Sequence, residues 1–458
     1  MAHDFHPSLL RDYDVRGTVG QTLGAADAHA LGRSFGTVIR RDGGSRVAVG
    51  YDGRLSSPML EAALVEGLCA TGIDVLRIGL GPTPMLYHAE AVCDVDGAIQ
   101  ITGSHNPRDD NGFKLVKQHA PFFGADIARL GAMAAAGDWM DGAGSVETVD
   151  TMAAYVARLM QDFDGPPCRV GWDAGNGAAG PVVEQLVKLL PGEHHLLFTE
   201  IDGHFPHHHP DPSRDGNLDD LRALVADKKL DFGVAFDGDG DRIGVVDALG
   251  RSIAGDQLLG IFAQDVLEKQ AGATIVADVK VSQTLFDQVT ALGGRPDMWK
   301  TGHSHIKTRM KQIGALLGGE MTGHMFFADD YFGFDDALYA AVRLIRATGT
   351  LRRSVTELRA AMSDIHATPE WRITVPEDRK FAIIDELVDR LNEAGADIIA
   401  IDGARVNTAD GWWLLRASNT EAALVARAES HDQAGLRRLI RRIESHLSDA
   451  GINVPFRS

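Results

Sequence analysis

The sequence predicts an α/β protein: three related α/β domains, then a smaller C-terminal α+β domain. Three observations carry that reading. Short apolar strands ending at an aspartate recur at Arg46–Asp52 (RVAVGYD), Arg169–Asp173 (RVGWD) and Thr274–Asp278 (TIVAD), each followed by a turn, a helical segment and a further strand or apolar run. Strands alternating with helices read as parallel units with right-handed crossovers, and a recurring opening reads as a repeated domain. Beyond residue 367 the pattern changes to strands mixed with only two helices. A chain of 458 residues also exceeds one ordinary hydrophobic core, so several domains are expected.

In the first unit, a helix over Met59–Thr71 and strands over Val75–Ile78 and Ala98–Ile101 follow the opening strand. Upstream, Tyr13–Gly17 (YDVRG) reads as a turn that places the Arg16 guanidinium in a cleft. The second unit continues through Ala174–Gly180 (AGNGAAG), a helix beginning near Pro181, and strands Gly233–Phe236 and Ile243–Val246. The third continues through a helix over Gln283–Leu292, a strand over Pro296–Trp299 and an apolar run at Ala315–Leu317. In the last unit Trp371–Val375, Asp397–Val406, Gly411–Ala417 and Ala422–Ala428 read as strands, and Phe381–Glu393 and Gln433–Leu447 as helices. The expected domains are 1–150, 151–252, 253–366 and 367–458.

Composition narrows the functional classes. A hydrophobic fraction of 44% and a charged fraction of 24% are those of a globular protein in water. A net charge of −19 argues against a general nucleic-acid binder and against docking on an anionic membrane. An anionic substrate would need a local basic pocket. The three cysteines, Cys69, Cys93 and Cys168, are odd in number and widely spaced, which fits a reducing compartment. No segment reads as a secretory leader or reaches membrane-spanning length, so the expected location is the cytoplasm.

Four motifs carry the chemistry. Gly97–Lys114 (GAIQITGSHNPRDDNGFK) runs from a buried strand into a polar loop that presents Ser104 beside His105, with Lys114 downstream. Gly103 lets the backbone turn sharply there. A serine hydroxyl needs a base, or a charge that makes it a phosphate carrier. Asp237–Arg242 (DGDGDR) sets three carboxylates among glycines between two strands. Such crowded like charges call for a cation, and hard oxygen ligands suit Mg²⁺ or Ca²⁺. Arg242 stands where an EF-hand needs glycine, and Ala248 where it needs glutamate, so that alternative fails. In Gly318–His324 (GGEMTGH), Glu320 is placed to accept hydrogen bonds from sugar hydroxyls, and Thr322 and His324 to add more. Arg416–Glu421 (RASNTE) gathers a guanidinium, hydroxyls and an amide in one turn, a phosphate cup. Trp299–His305 adds Lys300, Thr301, Gly302 and His303, and Lys280 follows the third strand. The histidine-rich Asp202–Pro212 (DGHFPHHHPDP) reads as a structural loop near the site rather than a metal centre, because consecutive histidines cannot all face one ion. No nucleotide phosphate loop and no dinucleotide fingerprint occurs.

Together these stretches resemble the α-D-phosphohexomutase superfamily. TGSHNP is similar to its phosphoserine loop, DGDGDR to its metal loop, GEMTGH to its sugar loop and RASNTE to its phosphate loop, in the family's order. YDVRG, GFKLVK, FPHHHPDP and WKTGHS resemble the bacterial phosphomannomutase/phosphoglucomutase branch. The resemblance covers essentially the whole chain. It implies four domains around a central active-site cleft. It implies a phosphoryl group carried on Ser104, and Mg²⁺ held by Asp237, Asp239, Asp241 and a phosphoserine oxygen. It implies transfer to a hexose phosphate through a bisphosphorylated sugar, with hexose 1,6-bisphosphate as activator. Arg242 would stabilise the transferring group, and Lys114 and His303 are the candidate proton-transfer groups. Tyr13, Arg16, His105, Lys280, Thr301, Gly302, Glu320, Thr322 and His324 would bind the sugar phosphate. Arg416, Ser418, Asn419 and Thr420 would anchor the phosphate that is not reacting. A monomer without an obligate protein partner is expected.

One departure is Thr322, where the branch usually has serine. The hydroxyl is kept and a methyl added. Met321 favours the mannose/glucose branch over phosphoglucosamine mutases, which carry glutamine there. The competing readings are a phosphoglucosamine mutase, a metal-dependent phosphoserine phosphatase, and a sugar-phosphate binding protein without turnover.

Overall fold

In the computed structural model the described residues are 2–363, 365–419, 421–452 and 454. The three aspartates that close the recurring strands share one local geometry. Asp52 Oδ1 accepts the N–H of Arg54 at 3.0 Å, Asp173 Oδ1 that of Gly175 at 2.9 Å, and Asp278 Oδ1 that of Lys280 at 3.0 Å. A short carboxylate that binds the backbone two residues on ends a strand and starts a turn. All three are buried.

Each α/β domain is built on the same four strands. In the first, Asp74–Leu80, Arg46–Tyr51, Gly97–Ile101 and Asp110–Lys117 lie side by side. In the second the order is Gly192–Leu197, Cys168–Asp173, Phe232–Phe236 and Ile243–Asp247. In the third it is Arg295–Trp299, Thr274–Asp278, Leu317–Gly319 and Met325–Phe327. The first three strands of each set are parallel. The fourth is antiparallel, which corrects the all-parallel expectation: a short hairpin joins it to the third, too short for a crossover. Those three hairpins are the serine loop, the acidic loop and the GEMTGH loop.

Tyr13–Gly17 is not a simple turn. Val15–Thr18 is an edge strand antiparallel to Asp110–Lys117, with Arg16 opposite Gly112. That pairing fixes Arg16 beside the serine loop.

The last domain is an antiparallel sheet of Ile398–Ile399, Ala404–Thr408, Gly411–Ala417 and Ala423–Ser430, with His366–Ala367 and Trp371–Thr374 against the last. Helices Lys380–Glu393 and Gln433–Asp449 bury Leu387, Leu439 and Ile443 against Trp413 and Leu415. The run Asp397–Val406 is two short strands rather than one. Between them the turn at Asp402–Gly403 presses against the neighbouring strand: a Cβ on Gly403 (φ 83°) would stand 2.5 Å from Arg416 Cβ. One apolar core runs through the first three domains, a second lies within the first, and the fourth has its own. The fourth is tied to the third by Arg405, which donates to the carbonyls of Val279 (2.7 Å) and Val281 (2.8 Å) while stacking on Trp412.

No described helix is long and apolar enough to cross a membrane. The junction between second and third domains holds a buried carboxyl, Asp336. It caps the helix Ala337–Leu351 through the Tyr339 N–H and accepts from the Tyr155 and Tyr331 hydroxyls at 2.9 and 2.8 Å. Burial pushes it up to about 6, against hydrogen bonds that lower it. The folded state therefore keeps a proton that the unfolded chain has already lost, and this group's contribution falls as pH rises from about 4 through 6. Asp336→Asn removes the titration and keeps a capping oxygen. Its melting temperature relative to the parent should rise by several degrees between pH 4.5 and pH 7.5. A constant difference across that range would contradict the buried protonation.

Candidate active site

The three hairpins and the Arg416–Asn419 turn open on one cleft of about 1500 Å³. Of the sequence-predicted residues, Tyr13, Arg16, Ser104, His105, Lys114, Arg242, Lys280, Thr301, Gly302, His303, Glu320, Thr322, His324, Arg416, Ser418 and Asn419 line it. Asp237, Asp239 and Asp241 are fully buried, with Lys114 and Ser104 between them and the cleft. Thr420 lies outside the described residues. His209, Asp211 and Pro212 of the histidine-rich segment also reach the cleft, while His208 pairs with Asp173 at 3.0 Å.

Ser104 sits at φ 48°, an uncommon conformation for a residue with a side chain. Its surroundings impose it. Its N–H donates to Thr102 Oγ1 at 2.8 Å, and its carbonyl accepts from Arg54 Nη2 at 2.7 Å. The buried Arg54 guanidinium also binds the carbonyls of Asn106, Pro107 and Asp110 at 2.6–2.9 Å, so one fork holds four points of the loop. Gly103 makes room for it: a Cβ there would fall 2.4 Å from the guanidinium. Asp52 pairs with Arg54 Nε at 3.3 Å and receives Thr102 Oγ1 and Gly103 N–H. Held this way, Ser104 Oγ donates to Asp237 Oδ2 at 2.6 Å and lies 3.2 Å from His105 Nδ1. Burial and the charges of Arg242 and Arg16 keep His105 well below the usual imidazole range, hence neutral.

The acidic loop brings one oxygen from each of Asp237, Asp239 and Asp241 within 4.8 Å of the others. Lys114 Nζ lies 2.7 Å from Asp239 Oδ2 and also touches Asp241 Oδ2. Burial works against its ammonium, but these carboxylates outweigh burial and hold its proton tightly. Burial and the Asp239 and Asp241 charges push Asp237 well above the carboxylate range. Asp239 Oδ1 and Asp241 Oδ1 are buried without a hydrogen-bond partner. An all-oxygen donor set with surplus negative charge and unsatisfied lone pairs fits a hard divalent cation.

A second group, Asp241, His324 and Asp335, is also close enough to surround an ion. Its hydrogen bonds favour another role. Arg242 Nε donates to His324 Nε2 at 2.9 Å, so the neutral ring carries its proton on Nδ1, 3.1 Å from Asp335 Oδ2. A protonated nitrogen is no metal ligand. His303 stacks on His324, and burial and Lys307 hold it well below the usual range. Lys280 is a buried cation between Glu370 (3.2 Å) and Asp278 (3.7 Å). Lys280, outweighing burial, holds Glu370 down to about 2.

At one edge of the cleft three domains meet. Tyr13 donates to the Thr301 carbonyl at 2.8 Å and accepts from the Asn419 amide. Gly302 N–H donates to Glu320 Oε1 at 2.7 Å. Asp402 Oδ2 accepts from Thr301 N–H at 2.9 Å and from Arg416 Nε at 3.0 Å. Sequence reasoning missed Arg54, Asp335 and Asp402. Asp52 did stand out at a strand end, which made Arg54 two residues later the one traceable in principle.

The chain matches all four parts of one family: the Phosphoglucomutase/phosphomannomutase alpha/beta/alpha domain I over residues 7–136, domain II over 150–250, domain III over 254–365 and the C-terminal domain over 370–446. It is 43% identical over 452 residues, 98% of each chain, to the phosphomannomutase/phosphoglucomutase of Pseudomonas aeruginosa. It is 42% identical to the phosphoglucomutase of Neisseria gonorrhoeae, across 95% of this chain and 96% of that one. The crystal structure of a phosphoglucomutase/phosphomannomutase family protein from Burkholderia thailandensis superposes with a TM-score of 0.93, at 41% identity, over 99% of this chain and 100% of that one.

Arg54 is the strongest local constraint on the serine loop. Arg54→Ala leaves Asp52 buried without its charge partner and should destabilise the fold by about 3–5 kcal/mol. Arg54→Lys keeps the charge but loses the planar fork. It should fold, exchange amide hydrogens faster over residues 103–110, and show kcat reduced by ~10-fold or more because Ser104 is no longer held in place. Wild-type turnover and exchange in the lysine variant would contradict the assignment.

Proposed function

The chain belongs to the phosphoglucomutase/phosphomannomutase family, and on that premise we propose that it interconverts hexose 1-phosphate and hexose 6-phosphate, of mannose, glucose or both. It is an intramolecular phosphotransferase working through a phosphoserine at Ser104 and a bisphosphorylated sugar. The observation that carries this reading is Ser104 Oγ at 2.6 Å from Asp237 Oδ2, inside the acidic loop and at the wall of the cleft.

Charge counting supports the sequence of states. With all three ionised, as cation binding requires, the carboxylates against Lys114 and Arg242 leave one net negative charge. Phosphoserine adds roughly two more near neutral pH. Asp237, Asp239, Asp241 and a phosphoserine oxygen would hold Mg²⁺, which when bound supplies positive charge to the transferring phosphoryl group. Arg242 and Lys114 add fixed positive charge at the same place. Because two carboxylates hold the Lys114 proton, its part is electrostatic, and proton transfer falls to the neutral imidazole of His303. His303 can take the proton of the sugar hydroxyl as it attacks, while His324, with Nε2 committed to Arg242, supports it by stacking. Glu320 orients the sugar ring with the carboxylate oxygen not committed to Gly302. Arg416, Ser418, Asn419 and Thr420 hold the phosphate that is not reacting, while Tyr13, Arg16, His105, Lys280, Thr301 and Thr322 complete the wall. Ser104 is nearly buried, which favours a mutase that shields its phosphoserine over a phosphatase that must admit water.

The working form is a cytoplasmic monomer, with hexose 1,6-bisphosphate restoring enzyme that has lost its phosphate. The domain boundaries fall near 150, 252 and 366. A coupled assay with mannose 1-phosphate and glucose 1-phosphate, beside intact-protein mass spectrometry, tests the reading. Active enzyme should carry one phosphate on Ser104 and release no inorganic phosphate. Dephosphorylated enzyme should regain activity only with the bisphosphate, and Ser104→Ala should turn over at a small fraction of the parent rate. Full activity from Ser104→Ala protein without phosphate would refute it.

A further inference from the structure

Asp402 is a half-buried carboxylate in the turn that separates the two short strands of the C-terminal domain. It has no place in the motifs. A single oxygen, Oδ2, takes two donors from two domains: Thr301 N–H at 2.9 Å and Arg416 Nε at 3.0 Å. Gly403 allows this by bringing the turn against the backbone of Arg416 itself. The next peptide beyond Thr301 donates from Gly302 to Glu320 Oε1 at 2.7 Å. A continuous path thus runs from the guanidinium of the phosphate cup, through one carboxylate oxygen and the Thr301–Gly302 backbone, to the carboxylate of the sugar loop.

We infer that Asp402 is a positioning residue that couples the two ends of substrate recognition. Resting on the reading of Arg416 as phosphate anchor and Glu320 as sugar anchor, the path makes seating of a phosphate and seating of the ring mutually dependent. A charge-assisted bond to Nε leaves the outer face of the guanidinium for a phosphate and fixes its plane. The same oxygen pins Thr301 N–H, and so sets where the Gly302 N–H holds Glu320. A substrate gripped at one end only would not hold both anchors in place. A bisphosphorylated sugar satisfies the phosphate cup whichever of its phosphates faces Ser104, so the same coupling serves both orientations.

A double-mutant cycle tests this directly. In a Ser104→Ala background, where glucose 1-phosphate binds without phosphoryl transfer, its affinity is measured by calorimetry for the parent, Asp402→Ala, Glu320→Ala and the pair. Each single change should weaken binding. The pair should be tighter than the product of the single losses by at least about threefold, as for residues acting in one network. Losses that multiply, within error, would overturn the inference, because Asp402 would then support Arg416 alone or merely the fold. Thermal melts identify loss of structure. If Asp402→Ala does not fold, the near-isosteric Asp402→Asn carries the cycle, with the same criterion. Mutase turnover by the unmodified enzyme is assayed separately, so failure of the functional reading and failure of the coupling are told apart.

Discussion

Three carboxylates closer than 4.8 Å in a buried loop are the constraint on which the rest of the site depends. At an effective dielectric of 20, each pair repels by about 3 kcal/mol or more, and three pairs by on the order of 10 kcal/mol. That is comparable with the whole stability of a domain. Lys114 offsets part of it, burial and the neighbouring carboxylates push Asp237 above the usual carboxylate range, and Arg242 stands at the loop's end. The loop is therefore suited to a divalent cation, and on the proposed reading the cation and a phosphate on Ser104 would each reduce the other's cost. The arrangement needs Ser104 held in place, and Asp52 and Arg54 hold it.

The same fold principle is used three times. A strand ends at an aspartate that binds its own backbone two residues on, and the third and fourth strands of the unit form a hairpin whose loop faces the cleft. The three loops supply Ser104, the three carboxylates and Glu320. The fourth domain adds its own hairpin turn, with Arg416 at its start. Chemistry that no single loop could perform is assembled by repeating one topology and varying the loop.

This explains what was legible in the sequence. The strands were readable because they are apolar and bounded by aspartates and glycines, and the site motifs because their chemistry is concentrated within six residues or so. The antiparallel direction of the fourth strands was not, even where the strand itself is apparent as at Ile243–Val246, since β-pairing direction leaves no local periodicity. Tyr13–Gly17 reads as a turn because the strand character of Val15–Thr18 comes from its partner, Asp110–Lys117, and not from its own residues. Asp335 and Asp402 were not legible, and Arg54 only by way of Asp52, for a related reason. Each acts through a partner remote in sequence, and an isolated charged residue in a turn is usually just solvated. Lys114 was recognised, but its ionisation state depends on carboxylates more than a hundred residues away.

The central claim is that the acidic loop is a cation site whose three carboxylates act together. Equilibrium titration of the dephosphorylated protein with Mg²⁺, for the parent and for Asp239→Asn, tests it most directly. Removing one anionic ligand while keeping the side-chain shape should weaken Mg²⁺ binding by ~10-fold or more, with turnover falling in step. Unchanged affinity and rate in the Asn variant would show that the loop's charge serves something other than a metal.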